Sequence, residues 1–111
     1  MYQIISEQSI YQYFGDDDPE MTRDMLRIIL DTNIRELKEL DKFYASKDFE
    51  TIKKRCHKAK PTMSYIGAMS SRKILEEIEK NLESSEELYS SLQEQLDLIT
   101  LELKKFIETI K

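Results

Sequence analysis

Asp48-Phe49-Glu50-Thr51-Ile52-Lys53-Lys54-Arg55-Cys56-His57-Lys58-Ala59-Lys60-Pro61-Thr62-Met63-Ser64-Tyr65-Ile66-Gly67 is the stretch that sets the fold class. Its apolar positions, Phe49, Ile52, Cys56, Ala59, Met63 and Ile66, recur at intervals of 3, 4, 3, 4 and 3. That rhythm keeps them on one side of a helix and makes a stripe for packing against other helices. Asp48 is a good N-cap, and Gly67 is the one plausible C-terminal stop. The same wheel places the chain's only histidine. At about 100° per residue, His57 falls roughly 130° from the centre of the stripe, away from the core. Cys56 and Ala59 take core-facing places, so a buried, inert sulfur is expected at Cys56.

Both flanks read as helix too. On the C-terminal side, Ser71 to about Leu82 buries Ile74, Leu75, Ile78 and Leu82. Ser84-Ser85-Glu86-Glu87 then reads as a capping box, with Ser84 at the N-cap and Glu87 at N3. The helix that follows carries a seam of Leu88, Leu92, Leu96, Ile99, Leu103, Phe106 and Ile110. On the N-terminal side, Asp18-Pro19-Glu20 combines an N-cap acid, a proline at the first helical position and negative charge at the positive end of the dipole. The helix it opens should run to about Ala45, through Met25, Ile29, Leu37, Leu40 and Tyr44, with Leu26, Leu30, Ile34 and Phe43 widening the face. Gly15 and Asp16-Asp17-Asp18 separate it from a short first helix, Glu7–Phe14, capped by Ser6 and carrying Ile10, Tyr11 and Phe14. The expectation is an all-α chain: an antiparallel four-helix bundle with a short additional N-terminal helix. Residues 1–111 form one domain, with 1–15 the N-terminal helix and link and 16–111 the bundle.

Composition narrows the function. Two glycines and two prolines in 111 residues leave few places to turn, which favours helices over a sheet. With 22 acidic against 17 basic residues the net charge is −5, which argues against a general nucleic-acid binder. One cysteine excludes an internal disulfide, and with one histidine it makes no zinc site, so no metal site is expected. The longest apolar runs, such as Ile28-Ile29-Leu30, are far too short for a bilayer. No secretion signal opens the chain, and a cytoplasmic monomer is expected.

Against this acidic background, five basic residues, Lys53, Lys54, Arg55, Lys58 and Lys60, crowd around His57. Cations beside an imidazole favour its neutral, nucleophilic form, and they attract phosphoryl groups or an acidic partner surface. Lys53, Lys60, Pro61 and Ser64, at i−4, i+3, i+4 and i+7, share the flank of His57. By itself, such a cluster is more often a solvated basic face than a site.

The run His57-Lys58-Ala59-Lys60-Pro61-Thr62-Met63-Ser64-Tyr65-Ile66-Gly67-Ala68 resembles the signature of histidine-containing phosphotransfer domains: His, two residues, Lys, a small residue, then Gly after five more, often as Leu-Gly-Ala. His57, Lys60, Gly67 and Ala68 match, and Ile66 stands for the usual leucine. Asp18-Pro19-Glu20 resembles the family's start of its first bundle helix, Lys47-Asp48-Phe49 the link before the histidine helix, and Leu75 through Ile78-Glu79 the helix after it. The resemblance covers residues from about 17 to 110. One position departs: the family most often has glycine four residues after the histidine, where this chain has Pro61. Proline there removes the amide that would bond the carbonyl of His57, so a kink or widened turn is expected just after it.

The resemblance implies reversible phosphoryl transfer between His57 and the aspartate of a response-regulator receiver domain, with a hybrid sensor histidine kinase upstream. It implies no bound cofactor in this chain, Mg²⁺ on the receiver, and no ATP site or kinase activity. His57 would be phosphorylated and Lys60 would stabilise the phosphoryl oxygens. Ser64 and Pro61 would lend support, and Lys53 and Lys58 would act as steering charges. Exposed apolar residues near His57 would dock the receiver: Ile10, Tyr11, Phe14, Met21, Met25 and Tyr65 are the candidates. The competing reading is a helical adaptor that binds a receiver without transfer.

Overall fold

A computed structural model describes residues 2–110. The chain is 82% helical, with no strand among the described residues. Helix α1, Glu7–Phe14, begins where Ser6 accepts a hydrogen bond from the Ser9 amide at 3.2 Å. Helix α2, Pro19–Ile29, begins at Asp18, whose carboxylate accepts from the Met21 amide at 3.0 Å. Both starts are as the sequence predicts.

The single long helix expected from Pro19 to Ala45 is instead broken twice. A π-helical segment, Leu30–Ile34, follows α2 and leads into α3, Arg35–Lys38. After Glu39 and Leu40 the chain restarts as α4, Asp41–Ala45. The second break has a clear partner in the buried Tyr89. Its hydroxyl accepts from the Leu40 amide and faces the carbonyls of Leu37 and Lys38, each contact at 3.0 Å. Backbone groups freed by the break are thereby paired without water.

Helix α5, Phe49–Tyr65, is capped by Asp48, which accepts from the Thr51 amide at 3.2 Å. The predicted stripe is its core face: Ile52, Cys56, Ala59, Met63 and Ile66 are all essentially inaccessible to solvent. Pro61 does not interrupt the α-helix, so the widened turn expected after His57 is not there; the widened turn lies in Leu30–Ile34. Gly67 follows the C-cap residue with φ +79°, and its absent side chain matters: a Cβ there would stand 2.5 Å from the Cβ of Ser6. Helix α6, Met69–Lys80, folds back along α5, and a 3-10 turn, Leu82–Ser84, leads to α7, Glu86–Thr109.

The N-cap of α7 is Ser85, one residue later than the capping-box reading places it, and its hydroxyl caps nothing. It pairs at 2.7 Å with the hydroxyl of Tyr44, whose ring stacks on Tyr89. It also donates to the Leu82 carbonyl at 2.8 Å, so the hydroxyl is fully engaged away from the helix it precedes. The helices pack around one core, in a body 44 × 20 × 19 Å. Among the described residues no helix is long and apolar enough to cross a membrane.

Candidate functional site

Helix α5 sends the His57 side chain away from the core, as its wheel position requires, and leaves it 76% exposed. Its Nδ1 stands 3.3 Å from Oε1 of Glu79, on the last turn of α6. The other carboxylate oxygen, Oε2, receives Nζ of Lys60 at 2.8 Å. The Lys60 and Glu79 side chains are only 18% and 13% exposed. One sheltered carboxylate thus hydrogen-bonds the lysine and lies within ion-pair distance of the histidine one turn before it. Oε1 is buried with no hydrogen-bond partner among the described residues, and His57 Nδ1 stands near it at ion-pair distance only.

Glu79 changes the local electrostatics expected from sequence. The group nearest the imidazole is an anion, and most of the surrounding cations are engaged. Lys54 pairs with Glu50 at 3.1 Å and Lys58 with Glu36 at 3.4 Å. Arg55 donates to the Glu36 carbonyl at 2.8 Å and lies over the Phe43 ring. Lys53 alone of the five is exposed with no ion pair among the described residues. Sequence reasoning did not find Glu79 as a site residue. The available signal was its place on the helix after the histidine, but pairing across two helices leaves no spacing rule to read.

Ser64 is partly buried and accepts a hydrogen bond from Arg72 of α6, which also lies 3.5 Å from Glu76. Its hydroxyl is occupied by a cation from the neighbouring helix. Pro61 is exposed between Lys60 and Thr62. Thr62 is buried and donates to the Asn33 side chain at 2.8 Å, tying the histidine helix to the π-helical segment.

Of the docking candidates, Ile10 is a correction: it is fully buried, because it is the residue through which α1 packs onto the core. Phe14 is partly buried and packs edge-on against Tyr13 and Tyr65. Tyr65 is itself partly covered by Tyr13, whose ring stacks on it with centroids 3.6 Å apart. Tyr11, Met21 and Met25 are exposed, Tyr11 with its ring edge against Phe106. Sequence reasoning missed Tyr13 and Ile28, both about half exposed. Ile28 extends Met21 and Met25 into an i, i+4, i+7 apolar stripe on α2.

Cys56 is fully buried, and burial, helped by the charge of Glu79, pushes its thiol up to about 12. It is an inert packing residue at neutral pH. Among the described residues no group of three or more His, Cys, Asp or Glu could hold a metal ion. Compared with family models, with curated proteins and with solved structures, the chain gives no significant match.

Proposed function

We propose that this chain is a histidine phosphotransfer protein that relays a phosphoryl group to and from the aspartate of response-regulator receiver domains through His57. The observation that carries the reading is the pair of unlike nitrogens on one exposed ring. Nδ1 is turned to the sheltered Glu79 carboxylate, and the largely solvent-exposed ring leaves Nε2 for a substrate. We read the scaffold as an antiparallel four-helix bundle, counting α2 to α4 with the π-helical segment as one broken helix, flanked by α1.

In the forward step the Nε2 lone pair attacks the phosphorus of an aspartyl phosphate. The N–P bond forms as the P–O bond to the aspartate breaks, and the aspartate leaves as a free carboxylate. Positive charge that develops on the ring is balanced by Glu79 through Nδ1–H, as carboxylates orient and stabilise imidazolium elsewhere. Lys60 exchanges its contact with Glu79 for the incoming phosphoryl oxygens, one turn along the helix. Little else is asked of this chain, since phosphoryl transfer depends chiefly on alignment and charge. The receiver supplies the acidic pocket and its Mg²⁺. The stripe of Met21, Met25 and Ile28, with Tyr11, is the apolar surface offered to it.

Incubation with phosphorylated receivers and Mg²⁺ tests this. Label should pass to the chain, be acid-labile and base-stable, and vanish in His57→Gln. Label that persists in that variant, or none from any receiver in a broad panel, overturns the proposal. The second reading, an adaptor that binds receivers without transfer, is favoured by one observation: Lys60 is already paired with Glu79. It predicts undiminished receiver binding by His57→Ala and no phosphorylation of the unmodified chain.

A further inference from the structure

Glu102 is an acidic residue in the middle of α7, and it is only 7% exposed. Among the described residues no charged side chain lies within ion-pair distance of it. Its Oε2 accepts the amide of Gln3 at 2.7 Å, and its Oε1 accepts those of Ile4 and Ile5, both at 3.0 Å. Three successive backbone N–H groups converging on one carboxylate form an anion-binding nest, here filled from within the chain. The next amide, Ser6, donates to the Ile66 carbonyl at 2.9 Å, at the end of the histidine helix. Ser6 then caps α1, which lays Tyr13 and Phe14 over Tyr65.

We infer that residues 2–14 form a cap that opens as a unit, with Glu102 as its latch, and that its closure controls exposure of Tyr65 and the Ile66 carbonyl at the C-terminal end of the histidine helix. The attachment is concentrated in few places. Gln3, Ile4 and Ile5 give their amides to a single side chain rather than to a strand or helix ladder. The link to α2, residues 15–18, is one glycine and three consecutive aspartates, whose mutual repulsion favours an extended, yielding connection. The interior of the cap is small, chiefly Ile5 and Ile10, with Tyr2 and Tyr11 edge-on to Phe106. The body it leaves keeps its own core in α2 to α7. Segments held this way populate the low end of the range of opening free energies. The inference stands whether or not His57 carries phosphate.

Native-state hydrogen exchange on the full chain tests it at neutral pH. In the unmodified protein the amides of residues 3–14 should exchange faster than those of α5 and α7, and together with one another. Glu102→Gln keeps the shape but removes the charge that three amides share, so cap exchange should speed at least tenfold. Oxidative footprinting should show Tyr65 more reactive in that variant, while the amides of α5 to α7 keep their protection. Gly67→Ala acts from the opposite side by forcing a Cβ against Ser6, and should reproduce the pattern. Loss of protection in the cap and in α7 at one common rate, in the unmodified protein or in either variant, overturns the inference. So does a cap whose exchange neither variant changes.

Discussion

At the scale of single residues, Glu79 decides what His57 and Lys60 can do, because both reach the same carboxylate. Glu79→Gln retains the shape but not the charge. On the proposed function, phosphotransfer should slow by about tenfold or more, the scale of one interaction with a charged group. Single-turnover transfer from a phosphorylated receiver measures this, with circular dichroism as the check that the fold survives. Lys60→Ala should have two effects. Transfer should slow on the order of 100-fold, as when one donor to a developing anion is lost. The sheltered Glu79 also loses its cation, so stability should fall by about 1–3 kcal/mol in urea titrations, less than for a fully buried pair. Lys60→Ala that transfers at the wild-type rate would remove this lysine from the mechanism. Cys56 makes a third prediction. With its thiol raised to about 12 and no solvent access, iodoacetamide should label it only as the chain unfolds. Rapid labelling of the folded protein would show that α5 opens on its own.

At the scale of elements, the helix starts were legible because their signals are local. Ser6, Asp18 and Asp48 each cap the helix that their sequence context announces. Breaks inside the Pro19–Ala45 run were not legible, since no glycine or proline marks them. The second rests on a partner distant in sequence, Tyr89 on Leu40, while near the first Thr32 donates to the Ile28 carbonyl and Asn33 reaches Thr62. Tyr89→Phe tests the second. The ring keeps its packing against Tyr44, but the Leu40 amide and the two carbonyls facing the hydroxyl lose their partner. A loss of about 1–3 kcal/mol is expected, read from the urea midpoint at unchanged m-value. A Phe variant as stable as the parent would mean that the break owes nothing to that hydroxyl.

At the scale of the whole molecule, Glu102 ties the chain's first residues to its last helix, and this coupling depends on pH. Burial by itself would raise the pKa of Glu102. The amides of Ile5, Gln3 and Ile4, with Lys105, outweigh burial and hold it below the ordinary 4.5. In the unfolded chain the carboxyl returns to that ordinary value. The folded state therefore binds protons less readily, and the stability contributed by Glu102 is complete only above about pH 4.5. It declines as the pH falls through 4.5 toward the lower folded value. The melting temperature of the parent should accordingly exceed that of Glu102→Gln at pH 7, and the gap should narrow on acidification. A gap constant from pH 7 to pH 3 would refute the assignment.

The sequence by itself determined the helical class, the caps at Ser6, Asp18 and Asp48, the core stripe from Ile52 to Ile66 and the outward direction of His57. Each follows from helical periodicity or from groups within four residues of one another, where local geometry leaves few choices. Tertiary structure alone decided that Glu79 joins His57 to Lys60 and that Ile10 is core. It alone decided that Ser85 serves Tyr44 instead of its own helix, and that Glu102 gathers the amides of residues 3–5. These are contacts between side chains and backbone on separate helices. Their partners are set by how the helices lie against one another, and no spacing along the chain encodes that distance.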